Sequence, residues 1–332
     1  MTMNHLYLTF FNVGYGEAML LQLSDPTCQS GAFVLLLDGG GNDSEEFANS
    51  DTGRRPLLSH LQAAGIDHID AVIVSHLHED HVSGLLPVVR AFPPKAVYQT
   101  LSPDFCLHTM RPLDDAAAKT VSLQKFTKSL NDFHALCATT VRHGGAIRRI
   151  AAGDVLALPD GLKAAVLAPS PARSDTLESD LSALYRTADG NIPDQTLLSR
   201  LDSGMNNFSA VIRLDYGKTR LLLPGDTNRA GFGGIELRSL RADLYKVGHH
   251  GQIDGADAAL LDAIRPNAVV CCASSDRRYN SAHPDLLRMI AERGAALYFS
   301  DCPPNPFGDP IPMHERLCFA IGQDQTIEAT YR

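Results

Sequence analysis

The stretch Ala71-Val-Ile-Val-Ser-His-Leu-His-Glu-Asp-His-Val-Ser-Gly84 decides how this chain is read, because a short apolar run ends there in three histidines and an aspartate. Residues 71–74 are small or β-branched, the mark of a buried strand. The polar cluster therefore falls where that strand leaves its sheet, a position at which loops carry chemistry. His76 and His78 are two apart and project to the same side of an extended segment. Asp80 and His81 follow as the chain turns, so one loop can feed two adjacent metal positions. Imidazole and carboxylate suit zinc, manganese or iron, and the absence of cysteine here argues against an iron–sulfur or structural thiolate site. A solvated polar loop is the plain alternative; clustered ligand types at matching spacing outweigh it.

His76-x-His78-x-Asp80-His81 resembles the signature loop of the metallo-β-lactamase superfamily. That resemblance implies an α/β fold, an αββα sandwich of two mixed sheets flanked by helices, with two divalent metal ions at their shared edge, zinc first and manganese second. Further stretches narrow it: Phe11-Asn-Val-Gly-Tyr-Gly-Glu-Ala18, Leu37-Asp-Gly-Gly40, Asn206-Asn-Phe-Ser209, Leu223-Pro-Gly-Asp226, Lys246-Val-Gly-His-His-Gly251 and His283-Pro284. Their order is similar to that in the hydrolase-like domain of competence proteins of the ComEC/Rec2 type.

Carried onto this sequence, the resemblance makes Asp226 the bridging ligand and puts His76 and His78 on one metal. Asp80, His81 and one of His249 or His250 fall on the other, with His249 preferred and its neighbour orienting substrate or packing. Asp38 supports the metal loop from below, although an Asx-turn with the glycines that follow accounts for it equally well. His283 protonates a leaving group or grips an oxyanion, or else merely opens a helix before Pro284. One expected ligand is absent, since no histidine occurs from Gly144 to Gly248. An oxygen of Asp194, Asp202, Asn206 or Asn207 would have to stand in, which tilts preference towards manganese. His108, His134 and His143 read as surface or packing residues.

The motifs run from about residue 11 to residue 284, so residues 1–332 are expected to form a single domain, and 44% hydrophobic content can fill its core. The segment 169–204, rich in Ser, Asp, Pro and Thr, reads either as a lid or mobile insertion near the site or as a helix around 177–185. Elsewhere the patterning predicts strands over 6–13, 18–23, 33–37, 155–158, 162–167, 208–214, 219–223, 243–247, 268–272, 295–299, 315–321 and 326–330. Helices are expected over 56–64, 82–90, 112–138 and 286–293, the second aiming its N-terminus at the metals.

Seven cysteines, at 28, 106, 137, 271, 272, 302 and 318, form no Cys-x-x-Cys pair and read as buried thiols of a cytoplasmic protein. The first twenty residues lack a basic region and a cleavage site, so no signal peptide is expected. No apolar run approaches the ~18 residues of a membrane span. ComEC-type proteins carry their hydrolase domain on a multi-span channel, so a role in DNA uptake is not carried over. A formal charge of −9 with scattered basic residues disfavours a grip on a long nucleic acid.

The reaction this implies is hydrolysis by a metal-activated water, acting on a phosphodiester in a nucleotide or nucleic acid. Another ester, a lactone or a β-lactam is the alternative, as is a non-catalytic binding module. Di-iron redox chemistry would need a flavin partner that the sequence does not show. No protein partner is indicated.

Overall fold

The structure, a computed structural model, describes residues 5–24 and 32–332; Cys28 lies outside them. Among the described residues fifteen strands are arranged in two sheets. In chain order they are β1 (Leu6–Phe11), β2 (Ala18–Ser24), β3 (Ala32–Gly39), β4 (Ala71–Ile73), β5 (Ala96–Gln99), β6 (Ala146–Arg149), β7 (Val155–Ala157) and β8 (Lys163–Ala168). Then come β9 (Val211–Tyr216), β10 (Thr219–Leu223), β11 (Leu244–Lys246), β12 (Ala268–Cys271), β13 (Ala296–Phe299), β14 (Arg316–Ile321) and β15 (Ile327–Tyr331). One sheet runs β15-β14-β1-β2-β3-β4-β5-β6 and the other β13-β12-β11-β10-β9-β8-β7. Each is mixed: β3 to β6 pair in parallel in the first, β10 to β13 in the second.

Alternation along the strands explains the layers. In β3, Leu35 and Leu37 face the space between the sheets, with Ile212, Leu214 and Leu221 from across it, while Val34 and Leu36 face outward into a second cluster. That cluster is covered by α1 (Leu57–Ala63), α2 (Glu79–Val82), α3 (Leu85–Ala91), α4 (Val121–Arg142), α5 (Pro171–Thr187) and α6 (Gln195–Gly204). The outer face of the other sheet is buried by α7 (Ala258–Ile264) and α8 (Pro284–Ala291). This is the expected αββα sandwich.

The expected helix over 112–138 begins later, at Val121, and runs on to Arg142. Thr120 caps it by accepting from the Leu123 N–H, and Asn131 clamps Leu113 through both its backbone groups, which ties residues before the cap down as an irregular arm. Segment 169–204 is neither a bare lid nor a lone helix but the pair α5 and α6, capped by Ser170 and Asp194. Leu177, Leu181, Leu184, Leu198 and Leu201 are buried at helical spacing, a pattern diluted by the polar residues between them. Strands β5 and β6 were not anticipated; each has only four residues, too few for alternation to register. Among the described residues no helix is long and apolar enough to cross a membrane.

Candidate metal centre

The carboxyl ends of β3, β4, β10 and β11 converge, and the loops leaving them carry the chemistry. Among the described residues one group has ligand atoms all within 4.8 Å of one another: Asp80, His81, Asp226 and His250. His250 Nε2 lies 3.0 Å from Asp80 Oδ2 and 2.9 Å from Asp226 Oδ2, and His81 Nε2 lies 3.4 Å from the same Asp226 oxygen. Although so close, both ring nitrogens are buried without a hydrogen-bond partner among the described residues. Once deprotonated, two imidazole nitrogens and two carboxylate oxygens this close together fit a divalent cation, zinc or manganese by donor type.

Each imidazole is fixed from behind. His81 Nδ1 lies 2.8 Å from Asp38 Oδ2, and the same carboxylate accepts from the Ser75 N–H and hydroxyl. His250 Nδ1 sits 2.8 Å from the Cys272 carbonyl. Both contacts leave Nε2 free to face inward. Asp38 therefore supports the site rather than forming an Asx-turn, and it takes a φ of 55° to do so.

His76 Nε2 faces His78 Nδ1 at 3.1 Å, a second pair of ligand atoms brought together by the extended His-x-His spacing. Neither His108, His134 nor His143 joins them. His108 pairs with Asp104, His134 with the Cys106 carbonyl and His143 with the Thr139 carbonyl. Of the four possible oxygen substitutes, Asp194 caps α6, and Asp202 sits behind His78, whose Nε2 lies 3.0 Å from its carbonyl and 3.4 Å from its carboxylate. The side-chain oxygens of Asn206 and Asn207 are buried without partners.

Of the His249–His250 pair, the structure places His250 against the carboxylates and turns His249 away, reversing the preference drawn from sequence. Both residues have positive φ, 49° and 51°, and the tight turn sends successive side chains in opposite directions. His249 Nδ1 reaches Asp254 at 2.8 Å, and its Nε2 accepts from Asn206. Of the two readings of His283, the structure matches the one that opens a helix before Pro284. Its Nδ1 accepts the Asp285 N–H at 3.2 Å and so caps α8, and what it offers the site is backbone: its N–H donates to Gly251 O, beside the Ala282 N–H on His250 O. The helix expected over 82–90 is found as the seven-residue α3, which begins at Leu85, with the single turn α2 standing before it.

Sequence reading passed over the ion pair beneath the cluster. Lys246 is wholly buried and pairs with the equally buried Glu17, while its Nζ lies 3.4 Å from Asp226 Oδ1 and 2.9 Å from the Gly225 carbonyl. The available signal was a lysine ending an otherwise apolar strand. Burial favours the neutral amine, but Glu17 and Asp226 outweigh it and hold Lys246 charged. Burial likewise disfavours charge on Asp80 and Asp226, yet His81 and His250 hold both below the usual carboxylate range, helped at Asp226 by Lys246. The reciprocal effect overcomes burial at the imidazoles: His250 is pushed up to about 9, and His81 rises well above its ordinary value. His76 is driven down by burial and by the charges of His81 and His78, so it stays a neutral ligand.

The cluster opens into a cavity of about 360 Å³ lined by Tyr15, Asp43, Glu46, His78, Glu79, Asp80, Lys125, Phe126, Asp202, Asn206, Asp226, His249, Gln252, Arg278 and Tyr279, among others. Tyr15 roofs it, its ring 4.6 Å from that of His250.

The sandwich and its strand-end cluster of histidines and aspartates define a metallo-β-lactamase fold. A family model of the metallo-β-lactamase superfamily matches residues 27–167 of this chain. Among curated proteins it is similar to ComE operon protein 3 of Bacillus subtilis (strain 168), with 23% identity over 299 residues, 87% of this chain and 31% of that protein. The chain thus spans less than a third of the length of this relative. Similar solved structures include Zn(2+)-bound PqqB from Methylobacterium extorquens, at 11% identity and TM-score 0.46, covering 89% of this chain and 98% of that one. A diphosphatase from the PhnP family, at 11% identity and TM-score 0.42, covers 95% and 98%.

Proposed function

We propose that this chain is a metal-dependent phosphodiesterase acting on a nucleotide or nucleic-acid phosphodiester, with residues 1–332 working as one domain because ligands come from both sheets. The observation that carries the metal-dependent reading is the buried cluster of Asp80, His81, Asp226 and His250, whose ligand atoms lie within 4.8 Å of one another and whose imidazole Nε2 atoms make no hydrogen bond among the described residues. His76 and His78 make a second position, with Asp226 as the bridging candidate, and zinc or manganese suits both. Bound there, divalent ions supply Lewis acidity and lower the pKa of water.

The chain's own part is placement and proton handling. In hydrolysis the water oxygen bonds to phosphorus, the bond from phosphorus to the leaving oxygen breaks, and a water proton ends on that oxygen. Asp80 lines the cavity at the edge of the cluster and is the carboxylate placed to take that proton. Lys246 balances charge beneath Asp226 without reaching the cavity. The choice of a phosphodiester rests on the ComEC-type order of motifs and on the similarity to ComE operon protein 3. The six described cysteines, all free thiols, fit a reducing compartment such as the cytoplasm.

The test is metal analysis of protein purified without chelator, followed by assays on bis-p-nitrophenyl phosphate and on nitrocefin, a β-lactam. Bound divalent metal and faster phosphodiester hydrolysis are expected. Faster nitrocefin hydrolysis would overturn the substrate class, and metal-free protein active on neither would overturn the enzyme.

A further inference from the structure

Tyr279 is the most exposed aromatic ring among the described residues, with 63% of its surface open, yet it stands on the wall of the cavity above the metal centre. Its backbone is held in the left-handed region, with φ of 55°, between Arg277 at 52° and Asn280 at 58°. A tyrosine is rarely found there, and such conformations persist where surrounding structure enforces them. The enforcement is visible: Arg277 binds the Ser281 and Ala282 carbonyls, and Arg278 pairs with Glu46 at 2.7 Å. A strained turn is thus used to set an apolar ring in water.

That ring joins the site by one intermediate. Tyr279 meets Tyr15 at a centroid distance of 5.1 Å and 66°, an edge contact that leaves most of the Tyr279 ring uncovered, and Tyr15 rests on His250. Two ring contacts, of 5.1 Å and 4.6 Å between centroids, thus link it to His250 of the cluster. From these observations we infer that Tyr279 is a stacking platform for a nucleobase, so that the substrate is a small nucleotide whose phosphodiester lies over the metal centre. This inference rests on the phosphodiesterase reading and makes it more specific.

The charge of the rim sets the size. Asp43, Glu46 and Glu79 line the mouth, and the two rim cations are already engaged, Lys125 with Asp43 at 3.5 Å and Arg278 with Glu46. A long polyanion would lay further phosphates against carboxylates and find no basic track. A mononucleotide or dinucleotide presents one phosphodiester to the centre and gains its remaining affinity from stacking, which every base can supply.

Two esters with the same leaving group isolate the platform: thymidine 5′-(p-nitrophenyl phosphate) and methyl p-nitrophenyl phosphate, which lacks the nucleoside. The metal-loaded wild type should favour the thymidine ester in kcat/KM. Tyr279→Ala should cut that preference by about fivefold to a hundredfold, the range reported for losing one base–aromatic stack, chiefly through KM, whereas Tyr279→Phe should keep it. An unchanged preference in Tyr279→Ala, or a preference lost equally in Tyr279→Phe, overturns the platform while leaving the phosphodiesterase intact. A metal-loaded wild type that hydrolyses neither ester overturns the phosphodiesterase reading and this inference with it.

Discussion

Asp38 Oδ2 lies 2.8 Å from His81 Nδ1, and this contact decides which nitrogen of His81 faces Asp226. Because Asp38 also accepts two hydrogen bonds from Ser75, the carboxylate is locked before the imidazole meets it. Asp38→Asn should keep the fold, since asparagine tolerates the left-handed backbone. Its amide removes the charge that orients the ring, and metal affinity should fall about 10–100-fold. Calorimetric metal titration of the metal-free variant and wild type makes the comparison.

His250→Ala, like Asp80→Ala or His81→Ala, should remove most bound metal and nearly all hydrolysis, with the fold retained because the core lies between and outside the sheets. His249→Ala should keep most of its metal, since that ring bonds Asp254 and Asn206. Elemental analysis of the four purified variants reads this directly; metal loss in His249→Ala equal to that in His250→Ala would reverse the assignment.

The two positions should load unequally. One is built from four converging side chains, whereas the other has His76 and His78, joined by none of His108, His134 and His143. Fewer ligands give less binding energy, so titration should show one tight and one weak event, with hydrolysis following the weak one. Two events of equal affinity would contradict this.

Lys246→Met should be severely destabilising, because it leaves Glu17 and Asp226 without their buried counter-charge. Breaking such a pair costs roughly 3–5 kcal/mol. Pairing the change with Glu17→Gln should recover part of the loss in urea unfolding; a single variant as stable as wild type would show that the pair is not held charged.

In the metal-free protein His250 titrates near 9, above the ~6.5 of an unfolded histidine. Its folded pKa is raised, so its contribution to stability is fully present below about 6.5 and is lost as pH climbs through about 9. Melting of the metal-free protein should therefore drop across that window, while the metal-bound form, whose His250 carries no proton, should change little. Metal binding should release protons at neutral pH and tighten as pH rises towards 9. A pH-independent affinity would contradict both.

The class of fold was legible in the sequence by itself, and so were the strand-end motifs whose side chains the structure gathers into the candidate site, because each motif is local in the chain. A β-branched run that breaks into His-x-His-x-Asp-His specifies a strand and its loop together, and Leu223-Pro-Gly-Asp226 repeats the device on the second sheet. Tertiary structure alone decided which of two adjacent histidines turns inward, since spacing cannot distinguish neighbours in a tight turn. It also decided between readings the sequence left open: His283 caps a helix, and the helix expected around 177–185 is part of α5, which with α6 completes the core. Glu17 and Lys246 are 229 positions apart and meet only when the two sheets close on each other. A charge pair of that kind leaves no periodicity in either segment, because its partners are chosen by packing across the sandwich rather than along the chain.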